Sequence, residues 1–428
     1  MRRPRTWLFT RLGILLACLL SVAAGSSGLH PTTVVPFAPA AFVIDDLGSQ
    51  TRFAQQSSLG SVVSDTSEPV RGDSSMALRT DGDASQVNLR ASGIGPFDLS
   101  EAYVRLLIKV DAPERLDQAL LYLSSDGFAS YETYRLARGT GLDHPHLVPG
   151  GWVVVTAALG TPLTREGPDP VDRTRLTDVQ LSANDTGDGP VTVWFAGLEA
   201  VARPPRGLVS VVFDDARDGV YALARPLLER AGLRASVAVI VDLVDEAGFM
   251  TLDELQRLDR FAGWDLIAHH ASALQDIDAM AALDDDELRH ELVESKRWLL
   301  EHGFHRGADH LAYPLGYASA RMLALTRQYF ASGRTILRGV GLETWPPADA
   351  YRIRALSVTP DDTPAILRAA IDQAALERSW LVLVFHQVVD GAPTYGTAYA
   401  VDDLAAVVEH LARADVDVRT LPEVLRLR

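Results

Sequence analysis

Two carboxylates stand side by side at the end of "SVVFDD", as Asp214 and Asp215. Acids placed directly after a buried apolar run are costly unless something compensates their charge. One suits a cation ligand and the other a proton acceptor. The plainer reading is a helix start, where acids complement the dipole, although Asp218 is better placed for that task. A second polar pair, His269-His270, follows "GWDLIA". A histidine after a buried strand either makes a structural hydrogen bond or binds a metal. Neighbouring histidines on an extended chain point apart, so they are an awkward pair for one ion. His386, after "LVLVF", alone reads equally well as a core histidine. Its weight comes from coincidence, because strand ends of one barrel meet at one mouth.

The elements that must position these groups show in the rhythm of residues 208–428. Nearly continuous apolar strands, such as "LVSVVFDD" and "RASVAVIV", alternate with helical stretches such as "DDDELRHELVESKRWLLEHG" (284–303). That alternation implies a parallel α/β sheet, open or closed into a barrel. Residues 41–201 read differently, as short β-branched and aromatic runs parted by Gly, Pro, Asp and Asn. Examples are "YVRLLIKV", "YETYRLA" and "VTVWFAGLEAV". Such text predicts an antiparallel β-sandwich or jelly roll. "ARPPRG" (202–207) is a stiff hinge between the two, and residues 26–40 form a linker with nothing to build a core from.

The chain has 428 residues, enough for two or three domains. Its net charge of −16 argues against nucleic acid or an anionic membrane surface as the main partner. Residues 1–25 combine four arginines, an apolar run and small residues, the pattern of a secretory signal peptide. Cys18 is the sole cysteine and falls inside that segment, so a mature protein would have no disulfide and no cysteine-bound zinc. The expected location is secreted or attached to a bacterial cell envelope.

In order along the chain, "SVVFDDARDG", "GWDLIAHH", "LAYPLG" and "LVLVFHQV" resemble the motifs of the polysaccharide deacetylases. These carbohydrate esterases remove acetyl groups from N-acetylated glycans. The likeness spans residues 208–428 and implies a distorted, incomplete (β/α) barrel. It implies Asp214 as general base, Asp215 and His269 as ligands of a divalent metal, zinc being the one that suits them, and His386 as general acid. Leu315 takes the position whose backbone N–H faces the developing oxyanion, and Tyr313 and Trp345 are candidates for substrate contact.

Three departures stand out. Ala216 replaces the family's glycine, so the turn must accept a Cβ. The family's second metal histidine falls on Ala273, leaving His270 as a further candidate ligand, with Ser272, Asp276 and Asp278 as oxygen donors of unmatched spacing. The arginine of the family's third motif is absent, and Asp349 and Arg352 lie in the region of the fourth. The implied partner is an N-acetylated polysaccharide, with no nucleic acid and no protein partner inferred. The alternatives are a degenerate relative that binds glycan without hydrolysing it, because of Ala273, and an adhesive envelope protein that uses mainly the sandwich. Tyr122, Tyr131, Tyr134, Trp152 and Trp194 are candidates for stacking on sugar rings.

Overall fold

The computed structural model describes residues 29–33, 35, 39–48, 50–139, 147–274, 276–336 and 342–426. The signal-like segment 1–25, Cys18 included, lies outside them.

Twelve strands occupy the first half: β1 (Phe42–Asp45), β2 (Ala54–Gln55), β3 (Ser61–Asp65), β4 (Ser75–Arg79), β5 (Gln86–Ala91), β6 (Ala102–Val110), β7 (Leu116–Ser124), β8 (Tyr131–Ala137), β9 (Trp152–Ala157), β10 (Thr164–Glu166), β11 (Asp178–Asp185) and β12 (Thr192–Ala202). They form two antiparallel six-stranded sheets. One runs β3-β4-β12-β6-β9 with β1 beside β12, the other β10-β8-β7-β11-β5-β2. Alternation decides their packing. Val104, Leu106 and Ile108 of one sheet and Leu121, Leu123, Val179 and Leu181 of the other share a single apolar core.

The second half contains a parallel sheet in the order β17-β16-β15-β14-β13-β19-β18. Its strands are β13 (Gly207–Phe213), β14 (Ser236–Ile240), β15 (Asp265–His270), β16 (His310–Ala312), β17 (Ser332–Arg334), β18 (Leu356–Ser357) and β19 (Trp380–Phe385). β20 (Val388–Val389) and β21 (Tyr399–Ala400) make a small separate pair, and β22 (Val416–Val418) lies along the start of β13. Regular strands end at β17 and β18, and an irregular segment spans the seam. Ile353 N–H donates to Gly333 at 2.9 Å on one side, while Leu356 pairs with Leu383 on the other. The result is an incomplete barrel.

Parity within these strands separates two cores. Leu208, Val212, Ala238, Ile267, Val382 and Val384 fill the barrel interior. Val209, Val211, Phe213, Val237, Leu381 and Leu383 face the outer helices. Burial on both faces explains why the strands read as unbroken apolar runs. The helices are α1 (Arg225–Arg230), α2 (Leu252–Arg257), α3 (Ile277–Ala282), α4 (Asp285–Glu301), α5 (Ala320–Tyr329), α6 (Pro364–Glu377), α7 (Val401–Leu411) and α8 (Leu421–Leu425). Capping boxes start three of them, from Thr251, Asp284 and Thr420. α8 places Leu421, Val424 and Leu425 into the barrel interior, and Leu421 N–H donates to Ser236 Oγ at the start of β14. It therefore plugs the end where the strands begin and leaves the other end for chemistry.

The linker expectation for residues 26–40 requires correction. Leu29 is buried among the helix-side core, and Val35 packs against the barrel interior. Asp309 Oδ2 accepts hydrogen bonds from the N–H groups of Thr32 and Thr33, both at 2.8 Å. Composition alone suggested a spacer; two apolar side chains and a buried acid turn part of it into a strap.

Candidate active site

Asp214 follows β13 on the inward parity of Leu208 and Val212, and it is buried. Arg334, at the end of β17 and wholly buried, places Nη2 at 2.7 Å from each Asp214 carboxylate oxygen. The arginine that the third motif lacks is thus matched by one on the next strand. "ASGRT" offered no signal for it, being a three-residue strand with a glycine at its centre.

Asp215 and Ala216 both adopt left-handed backbone, at φ +70° and +55°. These torsions turn the chain sharply after Asp214, so adjacent carboxylates need not alternate as on a regular strand. Asp215 Oδ1 lies 3.7 Å from His269 Nε2, and Oδ2 lies 3.5 Å from Arg217 Nε. Burial pushes the Asp215 carboxyl upward in pKa, but the bond to and charge of His269, with the charges of His386 and Arg217, hold it well below the usual range.

His269 Nδ1 stands 2.7 Å from the Ala312 carbonyl oxygen, which can only accept, so Nδ1 carries a proton. Its Nε2 therefore meets Asp215 either as a bare lone pair, which calls for a cation between them, or as the second N–H of an imidazolium. A backbone carbonyl that fixes the far nitrogen is the usual support for a metal-binding histidine. His386, immediately after β19, is half-buried; its Nδ1 has no hydrogen-bond partner among the described residues, and its charge reaches Asp215.

The awkward pairing of adjacent histidines resolves at a β-bulge. Val239 and Ile240 pair with Ala268 and His270, so His269 is the extra residue. Both imidazoles are buried, with ring centres 4.5 Å apart and planes at 75°. Burial, then the charge of His269, lowers the His270 pKa to about 3, which keeps it neutral. No group of three or more His, Cys, Asp or Glu that includes His270 is arranged to hold an ion among the described residues. Ala273 is exposed, the Ser272 N–H donates to Glu291, and Asp276 caps α3. Asp278 sits exposed in the first turn of that helix. The donor set fits a cation gripped by Asp215 and His269, and it does not fit the three-donor cage implied by the family likeness.

Leu315 adopts φ +57° in the turn after β16 and is 45% exposed. The hydrogen bonds that close this turn come from the N–H groups of Gly316 and Tyr317. Two substrate candidates fail. Tyr313 is fully buried and donates its hydroxyl to the Tyr351 carbonyl at 3.0 Å. Trp345 donates to the Val424 carbonyl on α8, at the plugged end of the barrel. Asp349 and Arg352 pair with each other at 3.2 Å. Of the aromatic residues on the antiparallel sheets, Tyr134 is buried against Glu132, and Trp152 and Trp194 flank Lys109 Nζ at 5.2 and 4.4 Å. Tyr122 and Tyr131 stay half-buried, 5.8 Å apart.

No protein-family model matches the sequence, and no curated protein matches it. The fold resembles solved structures of polysaccharide and peptidoglycan deacetylases of carbohydrate esterase family 4, over about half the chain. One is the Xyl-CE4 domain of a multidomain xylanase from the hindgut metagenome of Trinervitermes trinervoides, 16% identical, covering 51% of this chain and 89% of that one, TM-score 0.36. Another is the family 4 carbohydrate esterase from Streptomyces lividans, 13% identical, covering 51% and 94%, TM-score 0.33. A third is a peptidoglycan N-acetylglucosamine deacetylase, 17% identical, covering 53% and 92%, TM-score 0.37.

Proposed function

We propose that this chain is a hydrolase that removes N-acetyl groups from an N-acetylhexosamine polysaccharide outside the cell or at its envelope. We further read its first half as a jelly-roll sandwich attached to the catalytic barrel. The observation that carries the reading is Asp214, clamped by Arg334 at the open end of the barrel, beside the Asp215–His269 pair. A module that only binds glycan needs no buried base held in one orientation.

The reaction adds water across the amide, giving acetate and a free amine. Asp214 takes the proton of the attacking water, and Arg334 fixes which lone pairs of its carboxylate remain available. His386 returns a proton to the departing nitrogen. The Leu315 N–H stands ready for the negative charge that develops on the acetyl oxygen. A divalent cation such as zinc, held by Asp215 and His269, would supply Lewis-acid polarisation of the acetyl carbonyl and of water.

Acetate release from N-acetylated oligosaccharides, with the purified protein supplied with zinc, cobalt or manganese, tests this directly. Asp214→Asn and His386→Ala should each lower the rate by about 10²–10⁴-fold. The two-donor grip favours a second reading, a glycan binder without turnover. That reading prevails if no divalent ion elicits acetate while the oligosaccharide still binds.

A further inference from the structure

Each of the two adjacent carboxylates has its own arginine. Asp214 has Arg334; the Asp215 oxygen turned away from His269 faces Arg217 at 3.5 Å. The position of Arg217 is built. Its backbone bridges to Phe249, the neighbouring Asp218 N–H donates to the Gly248 carbonyl at 3.2 Å, and its guanidinium carbon lies 4.2 Å from the centre of the Phe249 ring. Backbone pairing and cation–π stacking together hold the charge in place against Asp215. No third His, Cys, Asp or Glu completes a metal cage there among the described residues.

We infer that Arg217 is the resident cation of Asp215, so that a divalent ion must compete with its guanidinium, and that Arg217 sets the metal affinity of the site. Two effects act in the same direction. The guanidinium competes for the carboxylate, and its positive charge repels an approaching dication. Arg217 thereby neutralises and orients Asp215 whenever no metal is bound. The inference rests only on Asp215 and His269 as cation donors, as in the preceding section, and stands whether or not the protein hydrolyses anything.

The test is calorimetric titration of the full-length protein with zinc or cobalt in the absence of glycan. Arg217→Gln should bind at least about tenfold more tightly, a gain of roughly 1.4 kcal/mol. Phe249→Leu, which keeps the charge but removes its platform, should tighten binding by less. Asp215→Asn should abolish the gain in the Arg217→Gln background. Circular dichroism checks that each variant is folded, and Phe249→Leu provides the measurement if Arg217→Gln does not fold. Unchanged or weaker metal binding in the folded variants overturns the inference, as does a gain that survives Asp215→Asn. Acetate release plays no part in this readout, so a failure here and a failure of the hydrolase reading are distinguishable.

Discussion

Arg334 and Asp214 are both removed from water, which gives their pairing an asymmetric energetics. Replacing both partners by apolar groups can be nearly neutral, whereas removing one strands a buried charge. Arg334→Met is therefore expected to cost about 3–5 kcal/mol, read from urea denaturation. It should also lower kcat while leaving KM nearly unchanged, because the arginine acts on the base and not on the sugar. Arg334→Lys should recover part of the stability and part of the rate, since a single nitrogen, Nη2, makes both contacts to the carboxylate and an ammonium can supply one. Stability equal to the parent in Arg334→Met would show that the pair is not the clamp described. The same scale shows what the sequence disclosed. Asp214, Asp215, His269 and His386 stood out because each ends an apolar strand. Arg334 did not, because nothing local in "SGR" says that it meets a carboxylate 120 positions earlier. Tyr313 and Trp345 misled for a related reason: an aromatic beside a motif looks the same whether it lines a cleft or fills a core.

At the scale of elements, the turn after β13 stores strain where the chemistry gathers. Two consecutive non-glycine residues, Asp215 and Ala216, hold positive φ, and the Ala216 carbonyl accepts from Met250 N–H at 2.8 Å, which helps keep it there. A left-handed alanine costs roughly 1–2 kcal/mol, partly offset by the entropy a glycine would lose on folding. Ala216→Gly should accordingly raise stability by about 1 kcal/mol, seen as a higher urea midpoint at unchanged slope. A lower midpoint would mean that the surrounding contacts favour the alanine. The longer parallel strands were legible because both of their faces are buried, leaving a continuous apolar signature, whereas β17 is only "SGR". β2, β3 and β10 were not: they are short and largely exposed, so "SVVSD" and "TRE" carry no alternation to read. The bulge at His269 was equally hidden, since a one-residue register shift leaves no mark on composition.

Over the whole molecule, the two halves have separate apolar cores, and one of the contacts between them is polar and buried. Arg354 and Glu343 form an ion pair at 3.0 Å in the second half, and Arg354 Nη2 also donates to Thr156 Oγ1 on β9 of the first half at 3.0 Å. Thr156 Oγ1 lies 3.1 Å from Thr344 Oγ1 as well. A sheet hydroxyl thus completes a charge network belonging to the barrel, which no local pattern in "GWVVVTAAL" announces. Thr156→Val keeps the shape and removes the hydroxyl, leaving a buried guanidinium with one acceptor fewer. The expected cost is about 1–3 kcal/mol, confined to the junction, because neither apolar core loses a side chain. Scanning calorimetry should then resolve two transitions, the barrel melting ahead of the antiparallel sheets, where the parent shows stronger coupling. A single transition at the parental midpoint would show that the halves are joined by other contacts and that Thr156 is incidental to them.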